Sequence, residues 1–207
     1  MKLCIFETTQ LKIMNFLAHI YLSGNNDLVK IGNFMADSIR GNQYTNYPEN
    51  IRKGILLHRY IDTFTDAHPI YRKSKHRLHE KYGHYSGVIM DIVYDHYLAK
   101  NWSNYSDTNL EDYAQEFYKL LQQNYDILTE KTQKMMPFMI ARNWLVSYAS
   151  LDGLEMILFQ MDYRTKHRVH MQEAINEVQE FYQEFETEFK FYFEELQQHC
   201  KEKMLEL

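Results

Sequence analysis

The sequence predicts an all-α protein, and three observations carry that reading. Only seven Gly and three Pro occur in 207 residues, too few for the frequent tight turns of a sheet protein. Good helix formers such as Glu, Lys, Leu, Met and Gln are plentiful. Apolar residues also recur at steps of three and four along most of the chain, the period of a helix face rather than of a strand. The length suits one domain, and no repeat, low-complexity tract or flexible linker divides it. A single-domain helical bundle is expected over residues 14–207, with 1–13 as an N-terminal extension because the strong patterning opens at Met14.

Helical periodicity begins at Asn15 and stops at the turn cluster Ser23-Gly24-Asn25. A second helix is expected from Asp27 to Ile39, capped by Asn25 or Asn26 and closed by Gly41. Pro48 stands where a first-turn proline belongs and opens a helix to about Asp66; Pro69 does the same for a helix to Tyr82, ended by Gly83. Ser86 to Trp102 reads as a fifth helix and Leu110 to about Leu128 as a sixth. Pro137 is read as opening the apolar segment Phe138 to Met161, with a break near Gly153. From about Val169, the stripe Met171, Ile175, Val178, Tyr182, Phe185, Phe189, Tyr192 and Leu196 predicts one long amphipathic helix. Its aromatics are read as core packing.

The net charge of −5 offers no global attraction to nucleic acid or to an anionic membrane. No run reaches the roughly 20 apolar residues of a membrane-spanning helix, and the first residues lack a secretory pattern. Cys4 and Cys200 stand near opposite ends, so neither a disulfide framework nor a thiolate metal site is indicated. A reducing cytoplasm is the expected location.

Histidine and aspartate crowd the first half, on faces that otherwise look buried. His58 and Asp62 continue the face begun by Ile51 and Ile55. Asp91 and Asp95 sit inside the stripe Val88, Leu98, Trp102; carboxylates are almost never buried without partners, and a pair at i, i+4 repels, which suggests a cation between them. Asn33 and Asp37 share a face, as do Asn15 and His19, and His96 follows Asp95. Nitrogen and oxygen ligands without thiolates suit Mn²⁺, Fe²⁺, Mg²⁺ or Zn²⁺ without choosing among them. The helical His/Asp arrangement resembles that of HD-type phosphohydrolases, whereas zinc-protease, P-loop and nucleophile-elbow motifs are missing. Paired Glu-x-x-His motifs of di-iron bundles are missing too.

Met14-Asn15-Phe16-Leu17-Ala18-His19, Gly32-Asn33-Phe34-Met35-Ala36-Asp37, Tyr47-Pro48, Gly54 to Asp62 and Asp91 to Leu98 together resemble successive motifs of the acyl carrier protein phosphodiesterase family. Trp144 to Tyr148, Gly153-Leu154 and Met161 to Arg164 are similar as well, so the resemblance spans about residues 14–168. It implies an HD-like helical fold and a Mn²⁺-favouring hydrolase that removes 4′-phosphopantetheine from holo acyl carrier protein. Carried over by motif, Asp37 matches the aspartate of the family's Gly-Asn-x-x-Ala-Asp segment, and His58, Asp62, Asp95 and His96 match its other His/Asp positions.

On that reading Asp37, His58, Asp62 and Asp95 are the expected metal ligands, and His19 or His96 the acid or base. Arg59 is the expected phosphate clamp. The resemblance also implies an acidic helical carrier as partner. The basic run Arg72, Lys73, Lys75, His76, Arg77 and Lys81 is the expected docking surface. Two other readings stay open: an HD-like phosphohydrolase of a nucleotide or other small phosphoester, and a helical binding protein whose His/Asp pairs are structural.

Overall fold

The structure is a computed structural model that describes residues 16–207, and these are all-α. The extension expected at 1–13, together with Cys4 and Asn15, lies outside the described residues. No helix among those described is long and apolar enough to cross a membrane.

The first helix, α1 (Phe16–Leu22), is buried on nearly every side and turns at Gly24, whose φ of +64° suits glycine. α2 (Asp27–Met35) is capped by Asn26, whose side chain accepts from the amides of Leu28 and Val29. It stops earlier than periodicity suggested, and Ala36–Ser38 tighten into a 3₁₀ turn. Pro48 caps α3 (Glu49–Ala67). α4 (Pro69–Tyr82) and α5 (Ser86–Lys100) follow, with Gly83 closing α4 at a φ of +51°.

α2 and α3 approach at backbone contact. A Cβ on Gly54 would lie 2.7 Å from the Asn33 amide nitrogen and overlap the Val29 carbonyl oxygen; one on Gly32 would overlap the Ile51 carbonyl oxygen. Any side chain at either glycine would wedge the helices apart. This crossing sets Asn33 and Asp37 beside His58 and Asp62.

The second half covers that core. α6 (Leu110–Gln123) and α7 (Glu130–Ala141) lead to the short α8 (Trp144–Ser147) and to α9 (Leu151–Arg164). Pro137 lies inside α7 rather than opening a helix, and Asn143, left-handed with a φ of +46°, makes the break that follows. The single C-terminal helix expected from Val169 is instead a 3₁₀ turn (Met171–Ala174), α10 (Ile175–Glu180) and α11 (Tyr182–Glu206). Periodicity runs through the interruption at Phe181 because both pieces bury the same side. Phe185, Phe189, Tyr192, Phe193 and Leu196 of α11 enter the core.

A histidine and aspartate cluster between α1, α2 and α3

His19 from α1 and His58 from α3 stack, with ring centroids 4.2 Å apart and planes 28° from parallel. Asn33 of α2 determines what these rings can do. Its side-chain nitrogen donates to the His19 carbonyl (2.9 Å) and to Ser23 Oγ (3.0 Å), which fixes the amide's orientation. Its Oδ1 is therefore the acceptor for Nδ1 of His19 (2.7 Å) and of His58 (3.1 Å). Both rings carry a hydrogen on Nδ1, so in each neutral ring Nε2 presents a lone pair.

Each Nε2 faces a carboxylate. His58 Nε2 lies 3.2 Å from Asp37 Oδ1 and 3.5 Å from Asp62 Oδ2; His19 Nε2 lies 3.5 Å from Asp62 Oδ1. His19 Nε2 is buried and has no hydrogen-bond partner among the described residues. Burial first, then the neighbouring His58 charge, lowers the His19 pKa to about 4, against the opposing pull of Asp62. The ring is thus neutral near pH 7, and a lone pair faces a carboxylate with no proton between them.

A lone pair against a carboxylate is repulsive unless a cation or a proton donor lies close by. One ligand atom each from His19, His58 and Asp62 falls within 4.8 Å of the others. Bonds of about 2.1 Å to a first-row dication place neighbouring ligands roughly 3–4 Å apart, so the donor set fits such an ion after small adjustments. Asp62, with 28% of its side chain exposed, forms the mouth of the cluster, while the Asp37 side chain is 3% exposed.

Other expected site residues lie elsewhere. Asp95 accepts from the amides of Leu17 (3.0 Å) and Ala18 (2.9 Å), so it caps the start of α1 rather than joining His58 and Asp62. Asp91 accepts from Tyr71 Oη at 2.7 Å. These two aspartates thus accept from separate donors, the α1 amides and the Tyr71 hydroxyl. His96 turns away from the cluster: Nδ1 donates to the Tyr148 carbonyl (2.7 Å) and Nε2 contacts Tyr182 Oη (2.8 Å).

Arg59 donates to the carbonyls of Ile39 (3.2 Å) and Gly41 (2.7 Å) and stacks on Tyr44. It ties the segment carrying Asp37 to α3 instead of presenting a free fork to phosphate. The basic run on α4 is largely engaged within the chain. Arg77 forms two bonds to Glu188 (2.6 and 2.7 Å), and Lys73 reaches the same carboxylate at 2.9 Å. Lys81 pairs with Glu177 at 2.9 Å, Arg72 donates to the Asp66 carbonyl, and Lys75 lies over Tyr71. Asn33 and Ser23 were not anticipated as site residues. The shared face of Asn33 and Asp37 was the available signal, but only the α2–α3 crossing reveals that one amide serves two imidazoles.

Fold and cluster together define an all-α protein in which His19, His58 and Asp62 bring nitrogen and oxygen ligand atoms within 4.8 Å of one another. Comparison with known proteins supplies the family: its profile, described as acyl carrier protein phosphodiesterase, matches residues 14–196. The chain belongs to the acyl carrier protein phosphodiesterase family. It is 28% identical to the acyl carrier protein phosphodiesterase of Pectobacterium atrosepticum, over 93% of this chain and all of the relative. It is 30% identical to that of Photorhabdus laumondii, over 86% of this chain and 91% of the relative, and 28% identical to that of an Escherichia coli strain, over 93% and all of the relative. No solved structure gives a significant match.

Proposed function

We propose that this chain is a metal-dependent phosphodiester hydrolase that releases 4′-phosphopantetheine from holo acyl carrier protein, with Mn²⁺ as the favoured ion. The observation that carries the metal reading is the pair of Nε2 atoms, of His19 and His58, turned toward Asp37 and Asp62 by the single acceptor Asn33. Family membership supports the substrate, and the placement of His58 and Asp62 one helical turn apart supports the HD-like reading.

His19, His58 and Asp62 would hold the ion, with Asp37 beside His58. The chemistry such an ion supplies is acidification of a water molecule and neutralisation of charge on a phosphoryl oxygen. The protein's own part is to fix both imidazole tautomers through Asn33 and to keep the inner side of the cluster dry. Asp37, held against His58, is placed to accept the proton of the attacking water. His96 has no part in that step, because both its ring nitrogens are committed elsewhere.

The test is intact-mass spectrometry of holo carrier incubated with the purified chain, with Mn²⁺ or with chelator. Metal-dependent conversion to the apo carrier, lost in His58→Ala and Asp62→Ala, is expected. Metal binding without conversion would move the reading to a small phosphoester; neither binding nor conversion would make the cluster structural.

A further inference from the structure

Among the described residues, one face of α9 and the loop that follows it expose apolar and basic side chains side by side in sequence. Along α9, Leu154, Leu158 and Met161 are buried, whereas Met156, Phe159 and Tyr163 on the opposite side are 53%, 49% and 46% exposed. Their spacing of three and four makes a continuous apolar stripe, and aligned exposed side chains of this kind mark interaction surfaces more often than scattered ones do.

The stripe runs into the loop after Arg164. There Lys166, His167 and His170, none of them glycine, have φ of +58°, +54° and +50°. Fully buried Asp162 holds this unfavourable path: its side chain accepts from His167 Nδ1 (2.7 Å) and the Met171 amide (2.9 Å), and its carbonyl accepts from the His167 amide (2.9 Å). Backbone maintained against its own preference by surrounding contacts is characteristic of functional segments. Its effect here is to present Lys166 and Arg168 to solvent, and neither forms an ion pair among the described residues. The α4 cations, by contrast, are largely engaged by the chain's own groups.

The same surface connects to the cluster. Arg164 lies over Trp144 (5.4 Å), Trp144 packs on Phe16 (6.1 Å), and Phe16 precedes His19 by one turn of α1. Exposed Arg142 enlarges the positive field at this end, close enough that its charge adds to the lowering of the Arg164 pKa that burial begins.

We propose that Met156, Phe159 and Tyr163, with Lys166, Arg168 and Arg142, form the docking surface for the carrier protein, engaging an acidic helix that also presents apolar side chains. The inference rests on the carrier-directed reading above and assigns docking to α9 and its following loop rather than to α4. An acidic helix matches the unpaired cations, and its apolar residues match the stripe.

The test compares initial rates on holo carrier across a range of salt for wild type, Lys166→Glu/Arg168→Glu, Phe159→Ser and Arg72→Ala/Lys73→Ala, each checked for an unaltered thermal midpoint. For Lys166→Glu/Arg168→Glu, KM should rise roughly tenfold and its salt dependence flatten; for Phe159→Ser, KM should rise with the salt dependence intact. If KM moves only in Arg72→Ala/Lys73→Ala, or in none of the variants, the assignment to α9 is overturned while the hydrolytic reading stands. A wild-type chain that neither binds nor cleaves the carrier overturns both.

Discussion

His19 and His58 donate from Nδ1 to one and the same oxygen, Oδ1 of Asn33, at 2.7 and 3.1 Å. Two helices thereby share one tautomer-setting acceptor, and the second nitrogen of each ring is turned toward a carboxylate. Replacing Asn33 with Ala would leave both rings free to rotate and to exchange tautomers. Mn²⁺ affinity should fall on the order of 10–100-fold, the usual cost of losing a group that orients metal-binding histidines. Calorimetric titration of the folded variant checks this, and unchanged affinity would falsify the assignment of Asn33.

Gly54→Ala tests the close crossing. The added methyl would meet backbone on both sides, the Val29 carbonyl and the Asn33 amide, with no flexible side chain to yield. A loss of at least ~2 kcal/mol is expected, read from urea denaturation, and metal affinity should drop with it because Asn33 and His58 are moved apart. A stable variant with normal affinity would show that the helices tolerate a wider separation.

Asp95 supplies a pH signature. Burial raises its pKa from 3.8 to about 7, against the pull of the α1 amides. A pKa raised on folding means that the folded chain holds the proton more tightly. The contribution is therefore full below the unfolded value and is lost as pH rises through about 7. The stability of wild type relative to Asp95→Asn should decline by more than about 1 kcal/mol between roughly pH 5 and 8. A difference that is flat across that interval would contradict this environment.

His96 separates a structural histidine from a ligand. Its replacement by Ala strands the buried Tyr148 carbonyl, at a cost of about 1–3 kcal/mol. Mn²⁺ affinity should stay within about twofold of wild type, since distant substitutions act independently. Thermal melts and metal titration on the same sample give both values.

Arg77→Ala removes the two-bonded partner of Glu188, a mostly buried carboxylate that would keep only Lys73 and Ser74. A loss of about 3 kcal/mol is expected. A melt indistinguishable from wild type would return Arg77 to the pool of free surface cations.

What could be read from the chain alone was whatever is encoded locally. Pro69 and Gly83 bound α4 as expected because a proline at a helix start and a left-handed glycine at its end act within one turn. His58 and Asp62 were legible as a pair because a helix fixes their relation. The partners of Asp95 were not legible because a carboxylate on an apolar stripe reports burial and not what it bonds to, here amides 77 and 78 positions away. The interruption at Phe181 was hidden because its two flanking helices bury the same side. The α2–α3 crossing was encoded in two glycines 22 positions apart, each unremarkable alone.

The dependence of α4 on α11 has a consequence for biosynthesis. Arg77 and Glu188 are separated by 111 positions, so a nascent chain carries Lys73 and Arg77 of α4 without their carboxylate until α11 has been made. A message cut short ahead of α11 would yield a polypeptide that has its His/Asp residues but displays a bare basic helix over an uncovered aromatic core, a ready substrate for chaperones and proteases.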